Sequence, residues 1–186
     1  MSTPDKELIE KISNGESENL NILIRNHYDY VFKFLLKSTN NVNLSYDLTQ
    51  DAFLKMIRML HNYDSQKGDF RNWLLKIAIN VKNDYFRSKN YQLESKQVDI
   101  YETEILSDDT PTKAILKKEK QKKIATALDE LPNTQKEALI LMYYNNLKIR
   151  EISELTGTNE NTIKSRLFNG IKSLRKILGG NREQEK

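Results

Sequence analysis

The sequence predicts an all-α protein of two helical domains joined by a flexible acidic linker. Three observations lead there. Apolar residues recur at three- and four-residue spacings along most of the chain, while the period-two alternation of strands is nearly absent. Proline, which breaks helices, occurs only at positions 4, 111 and 132. The charge also changes sign along the chain. Residues 1–90 carry 13 basic and 11 acidic side chains, residues 91–112 carry one and six, and residues 113–186 carry 16 and nine. The expected organisation is therefore a bundle over 1–90, a linker over 91–112 and a basic bundle over 113–186.

The first helix is expected over Asp5–Gly15, with Leu8 and Ile12 four residues apart. A second covers about Glu18–Lys37 and turns Leu20, Leu23, Ile24, Tyr28, Val31, Phe32 and Leu35 inward. After a polar turn, Ser38–Asn43, a third helix runs Tyr46–Leu60 and buries Phe53, Ile57 and Leu60. The loop His61–Asp69 contains Gly68 among turn-forming acids and amides. A fourth helix, Phe70–Lys89, carries Phe70, Leu74, Ile77, Val81 and Tyr85 as its apolar stripe. Asn90–Thr112 is acidic and polar and ends Asp108-Asp109-Thr110-Pro111, the composition of a linker. A short helix around Ile100–Leu106 is the alternative there. The second bundle starts at Lys113, with Ile115, Leu116, Ile124, Ala127 and Leu128 leading to Leu131-Pro132. Thr134-Gln135-Lys136-Glu137 has the pattern of a capping box, and Ala138, Leu139 and Leu141 or Met142 follow as core.

Composition excludes several classes of function. With no cysteine there is no disulfide, no Cys-ligated zinc and no thiol redox sensing. His27 and His61 lie far apart without ligand spacing and read as ordinary surface or edge residues, so no metal is expected. No apolar run approaches the ~20 residues of a membrane span, and Met1–Glu10 has no apolar signal segment. A cytoplasmic protein without membrane insertion is expected. No nucleophile–base pair or phosphate-cradling glycine loop is visible, so neither an enzyme nor a cofactor is expected.

The most informative stretch is Ile149–Leu178. A short helix leads through Gly157 to Asn159 and then to a second, basic helix: the order of a helix-turn-helix, whose second helix enters the DNA major groove. At about 100° per residue, Ile163, Leu167, Ile171 and Leu174 share the inner face. Asn161, Ser165, Phe168 and Lys172 lie opposite, flanked by Thr162 and Lys164. Amide, hydroxyl and ammonium groups are the chemistries that read base edges and hold phosphates. Lys172, Arg175 and Lys176 extend the cationic ridge, and Glu160 is an acid that repels phosphate or accepts from cytosine.

Two further stripes lie in the first bundle. On the third helix Asp47, Asp51 and Leu54 share a face with Gln50 beside it, a patch suited to a basic protein partner. The alternative is a solvated face with both acids paired to Lys55 and Arg58. On the fourth helix Trp73, Lys76, Asn80, Asn83 and Arg87 form one stripe. An aromatic ring, amides and cations on a rigid rod can stack a base, bond its edges and hold a single strand. Core packing is the alternative for Trp73.

These residues carry a resemblance. Asp47-Leu48-Thr49-Gln50-Asp51-Ala52-Phe53-Leu54, Tyr63-Asp64, Phe70-Arg71-Asn72-Trp73-Leu74-Leu75-Lys76-Ile77-Ala78-Ile79-Asn80 and Asp84-Tyr85-Phe86-Arg87 resemble region two of bacterial RNA polymerase sigma factors. Leu128-Asp129-Glu130-Leu131-Pro132, Glu151-Ile152, Gly157, Asn161-Thr162-Ile163-Lys164-Ser165-Arg166-Leu167 and Leu174-Arg175 resemble region four. Two such regions with no domain between them resemble the extracytoplasmic-function (ECF) group. The resemblance implies that Asp47, Gln50, Asp51 and Leu54 dock on core RNA polymerase. It implies that Asp64, Trp73, Lys76, Asn80, Asp84 and Arg87 melt and read the minus-ten element, and that the loop Asp64–Asp69 receives a flipped base. Asn161, Thr162, Lys164, Ser165, Arg166 and Phe168 then meet the minus-thirty-five element. The acidic linker would thread the polymerase cleft, and an anti-sigma factor is an implied partner. Ser153 and Thr156 replace the usual apolar residues of the first motif helix, and Glu160-Asn161 replaces a more usual apolar-Gly pair. Both departures bear on the promoter sequence read. The rival readings are a free-standing helix-turn-helix regulator of duplex operators and a helical nucleic-acid-processing enzyme.

Overall fold

The computed structural model describes residues 4–88 and 111–179. The chain divides into two compact units, Met1–Asp99 and Ile100–Lys186. Every regular element among the described residues is helical. Of the linker expected over 91–112, residues 91–110 lie outside the described residues, as does the alternative helix at Ile100–Leu106, and Pro111 and Thr112 belong to the helix that follows.

In the first unit, α1 (Asp5–Ser13) packs along α2 (Glu18–Thr39). Then follow α3 (Val42–Met59), a short 3-10 turn (Leu60–Asn62) and α4 (Phe70–Arg87). α1 stops at Ser13, two residues short of the expected end, and Asn14 and Gly15 make the turn; Gly15 has φ 96. α3 begins four residues before Tyr46. Asn40 adopts a left-handed conformation that ends α2, and the Asn41 side chain accepts from the Leu44 N–H at 2.9 Å. The polar turn is thus a C-cap and an N-cap set side by side.

The core is shared by α2, α3 and α4. Leu23, Val31 and Leu35 of α2, Leu48, Ala52 and Met56 of α3, and Phe70, Leu74 and Leu75 of α4 are all buried. Each large apolar side chain so buried contributes about 1.5–3 kcal/mol relative to exposure. The expected stripes were too narrow. Phe34, Ile79 and Ala78 are also buried, because α2 packs against three neighbours and α4 against two. Ile57, expected in the core, is 39% exposed, and Met56 takes the inward position instead. His27 is buried rather than at the surface. Its Nε2 lies 2.8 Å from Asp5 Oδ1, and its ring meets the edge of Phe70 at 5.1 Å. This pair ties α1 to the bundle.

The second unit contains α5 (Pro111–Asp129), α6 (Asn133–Tyr143), α7 (Ile149–Thr156) and α8 (Glu160–Ile177). α5 starts at Pro111, whose fixed φ suits a first helical position. The side chains of Ile115 and Leu116 lie outside the described residues. Ile124, expected inside, is half exposed, whereas Ala127 and Leu128 are buried. The capping box expected at Thr134 does not form. The helix starts at Asn133 behind Pro132, so Thr134 already lies inside the first turn, and Lys136 turns inward to pair with Asp129. A side-chain cap appears instead at α7, where Glu151 accepts from the Lys148 N–H at 2.7 Å. Gly170 lets α8 approach α6: a Cβ there would stand 2.9 Å from Leu139 Cδ1. No helix among the described residues is long and apolar enough to cross a membrane, and no group of three or more acids and histidines is placed to hold a metal ion.

Candidate nucleic-acid interface

The helix-turn-helix of the second unit is built from α7, Gly157 and α8. Gly157 closes α7 with φ 62, a conformation that costs glycine little. Asn159 caps α8, its side chain accepting from the Asn161 N–H at 2.8 Å. The apolar face holds α8 in place through Ile163 and Leu167, both buried, with Ile171 and Leu174 half-buried. Asn161, Thr162, Lys164 and Ser165 are all exposed over the first two turns. Phe168 stands out at 69% exposure, the largest value among the large apolar side chains described. Arg166 differs from the others. It is half-buried and donates from Nη1 to Thr158 Oγ1 at 3.4 Å, so it braces the turn that precedes its own helix.

In the first unit the loop before α4 is ordered by local bonds. The Tyr63 hydroxyl donates to the Gly68 carbonyl at 3.0 Å. Asp64 accepts from the Gln66 N–H at 2.9 Å and pairs with Lys67 at 3.5 Å. Asp69 caps α4 by accepting from the Arg71 N–H. Folding the loop back places the Tyr63 ring 5.4 Å from Trp73, with Phe70 5.6 Å from Trp73. Trp73 is therefore half-buried in an aromatic cluster, with part of its surface free. Burial, together with the nearby carboxylates of Asp69, Asp5 and Asp64, pushes the Tyr63 phenol above its ordinary pKa. The ring stays a neutral donor and stacking surface at neutral pH. Lys76, Asn80, Asp84 and Arg87 continue from Trp73 as exposed residues along α4. In the sequence Tyr63 is legible only as part of the Tyr63-Asp64 motif. Its place beside Trp73 depends on the Tyr63–Gly68 bond, which spacing does not reveal.

On α3, Asp47, Gln50, Asp51 and Leu54 are all exposed, Leu54 at 52%. The alternative pairing of both acids with Lys55 and Arg58 does not form. Asp47 and Asp51 have no ion-pair partner among the described residues, and Lys55 reaches instead across to Asp84 on α4, at 3.6 Å. Tyr46 and Ile57 extend the patch as exposed apolar neighbours. The patch is acidic and apolar together, unlike the cationic face of α8.

Comparison with known proteins settles the family. Residues 23–91 match the family model described as Sigma-70 region 2, and residues 121–174 match that described as Sigma-70, region 4. The chain is 31% identical over 153 residues to the ECF RNA polymerase sigma factor SigK of Mycolicibacterium vanbaalenii, covering 80% of this chain and 76% of that one. The chain belongs to the ECF sigma factors. It is 26% identical over 175 residues to the ECF RNA polymerase sigma factor BldN of Streptomyces coelicolor, covering 92% of this chain and 65% of that relative. Among solved structures, the sigma factor RpoE of Bartonella quintana, crystallised with the anti-sigma factor NepR, shares the fold. Its TM-score is 0.67 at 19% identity, over 92% of this chain and 99% of that one. This sigma factor binds core RNA polymerase, directs it to promoters and promotes strand opening for transcription initiation. Sigma factors as a family are regulatory subunits rather than enzymes.

Proposed function

We propose a division of labour among the exposed stripes. Residues 1–90 act as the region that docks on core polymerase and holds the minus-ten element. Residues 91–112 act as the connection, and residues 113–186 as the upstream anchor. Asp47, Gln50, Asp51 and Leu54 dock on core polymerase, the unpaired acids meeting a basic surface and Leu54 an apolar one. Trp73, Lys76, Asn80 and Arg87 capture the opened strand. Asp64 shapes the loop before α4, and Asp84 is balanced by Lys55. Asn161, Thr162, Lys164, Ser165 and Phe168 read the minus-thirty-five element, with Arg166 holding the turn that aims them. The sigma factor works in the cytoplasm as a binding subunit without catalysis of its own. An anti-sigma protein is a fitting regulator, since the related RpoE is bound by one.

The observation that carries this reading is the free surface of Trp73 beside Tyr63 and Phe70, at the head of a polar and cationic stripe. Each base-pair step opened costs on average about 1.4 kcal/mol of DNA stacking. A base stacked on an aromatic ring recovers about 1–3 kcal/mol. One stacked base therefore offsets one or two steps, and the amides and cations further along α4 are needed to hold the rest. Upstream, phosphate contacts at α8 fix the register without opening anything.

The test is reconstituted transcription with core polymerase. Trp73→Ala and Asn80→Ala are expected to lower promoter opening at least tenfold while core binding stays unchanged. Loss of core binding with normal opening would overturn the assignment of the α4 stripe.

A further inference from the structure

We infer that His27 is a positioning residue for strand capture, holding Phe70 and, through it, the Trp73 indole. The inference rests on the reading of the α4 stripe given above. His27 sits on α2 at 8% exposure, so it offers a strand no surface of its own. Its ring lies 5.1 Å from that of Phe70, with the two planes at 67°. Phe70, itself buried, lies 5.6 Å from Trp73 and 5.3 Å from Tyr63, and Tyr63 closes the cluster 5.4 Å from Trp73. The indole therefore rests on two rings, and His27 backs the buried one of the two.

Asp5 accounts for a histidine at this place. A buried polar side chain without a partner costs stability. Asp5, the first residue of α1, supplies one, its Oδ1 standing 2.8 Å from His27 Nε2. Two apolar residues of the same shape would be nearly as stable as such a hydrogen-bonded pair. What the pair adds is orientation. The carboxylate fixes one nitrogen of the imidazole, so the ring keeps one angle against Phe70, whereas a leucine would fill the space without a preferred plane. Leu8 and Ile9, both buried, already hold α1 on the bundle, so attachment alone does not require the pair. A binding group works only within about 0.5 Å of its productive position, which demands supporting side chains locked in one rotamer. Asp5, His27 and Phe70 form such a line of support behind Trp73. The ring pair can shift capture by no more than its own worth, about two- to tenfold.

Capture is measured as the affinity of the holoenzyme for a pool of short single DNA strands of random sequence, beside core binding and the urea midpoint of the full chain. His27→Gln removes the ring and keeps an amide able to donate to Asp5; it is expected to weaken capture about two- to tenfold with core binding retained. His27→Phe keeps a ring against Phe70 and leaves Asp5 without its partner; it is expected to lower the urea midpoint more than His27→Gln does, yet to keep capture near wild type. Capture that instead falls in step with the urea midpoint in both variants would make His27 merely structural and overturn the inference. The cycle with Trp73 gives a second readout: in a Trp73→Ala background, His27→Gln should cost no further capture, and a full second loss would count against the proposed line of support. If Trp73→Ala weakens capture while His27→Gln does not, the positioning role is overturned and the α4 reading stands. If Trp73→Ala leaves capture unchanged, the α4 reading falls and the role of His27 with it.

Discussion

Tyr63 joins the loop and the aromatic cluster in one side chain, and its phenol is raised above the ordinary value near 10 by burial first and by Asp69, Asp5 and Asp64 next. A raised pKa means that the folded state holds the proton longer than the unfolded chain. The stability tied to that proton is complete below the unfolded value and is lost as pH rises through the folded one. Tyr63→Phe is therefore expected to flatten the fall of the urea midpoint on the alkaline side of pH 10, on top of a pH-independent loss of about 0.5–1.5 kcal/mol from the missing bond to the Gly68 carbonyl. Part of the slope should persist, because Tyr28 is also raised, by burial and then by Tyr46 and Asp29. An unchanged alkaline profile in Tyr63→Phe would place the titration elsewhere. Single residues also mark the limits of sequence reading. Ile57 and Met56 are adjacent apolar residues, and periodicity alone does not say which turns inward; packing against two neighbours at once decided for Met56. His27 looked peripheral because its partner, Asp5, lies 22 positions away on another helix.

At the scale of elements, helix existence was legible and helix ends were less so. The period of the apolar residues located all four N-terminal helices. The ends depended on caps, and a cap is one side chain choosing between neighbouring turns. Asn41 started α3 early, and Pro132 displaced the box expected at Thr134. The cap read at Asn159 is present and sits at the N-terminus of the reading helix. Asn159→Ala is expected to cost about 1 kcal/mol of unfolding free energy. It should also weaken duplex binding by fraying the turn that carries Asn161 and Thr162; Asn159→Asp should keep most of the stability. Equal stability of the Ala variant in urea denaturation would count against the cap. Gly170 was not legible as an element-setting residue, since its role appears only when Leu139 of α6 is seen beside it.

For the whole molecule, the uneven charge along the chain decides how binding responds to salt. Lys164, Lys172, Arg175 and Lys176 of α8 are exposed, and each phosphate they neutralise releases a counterion. Lys164→Gln is expected to lower the slope of log affinity against log salt by about one on duplex DNA, with little change in sequence preference. A full slope in the variant would remove Lys164 from the phosphate contacts. The acidic patch of α3 carries the opposite expectation, since core polymerase rather than DNA is its proposed partner.

Trp73 is the single tryptophan of the chain, and it stands half-buried between Tyr63 and Phe70 at the head of the α4 stripe. The sigma factor thus carries one intrinsic fluorophore, placed where strand capture is proposed. Excitation at the red edge of the tryptophan band reports on that point alone, unlabelled, from within its own transcription machinery when core is replaced by a tryptophan-silent analogue. A base stacked on the indole should quench the emission, while duplex DNA bound only at α8 should leave it unchanged. The moment of opening then becomes a signal that can be timed.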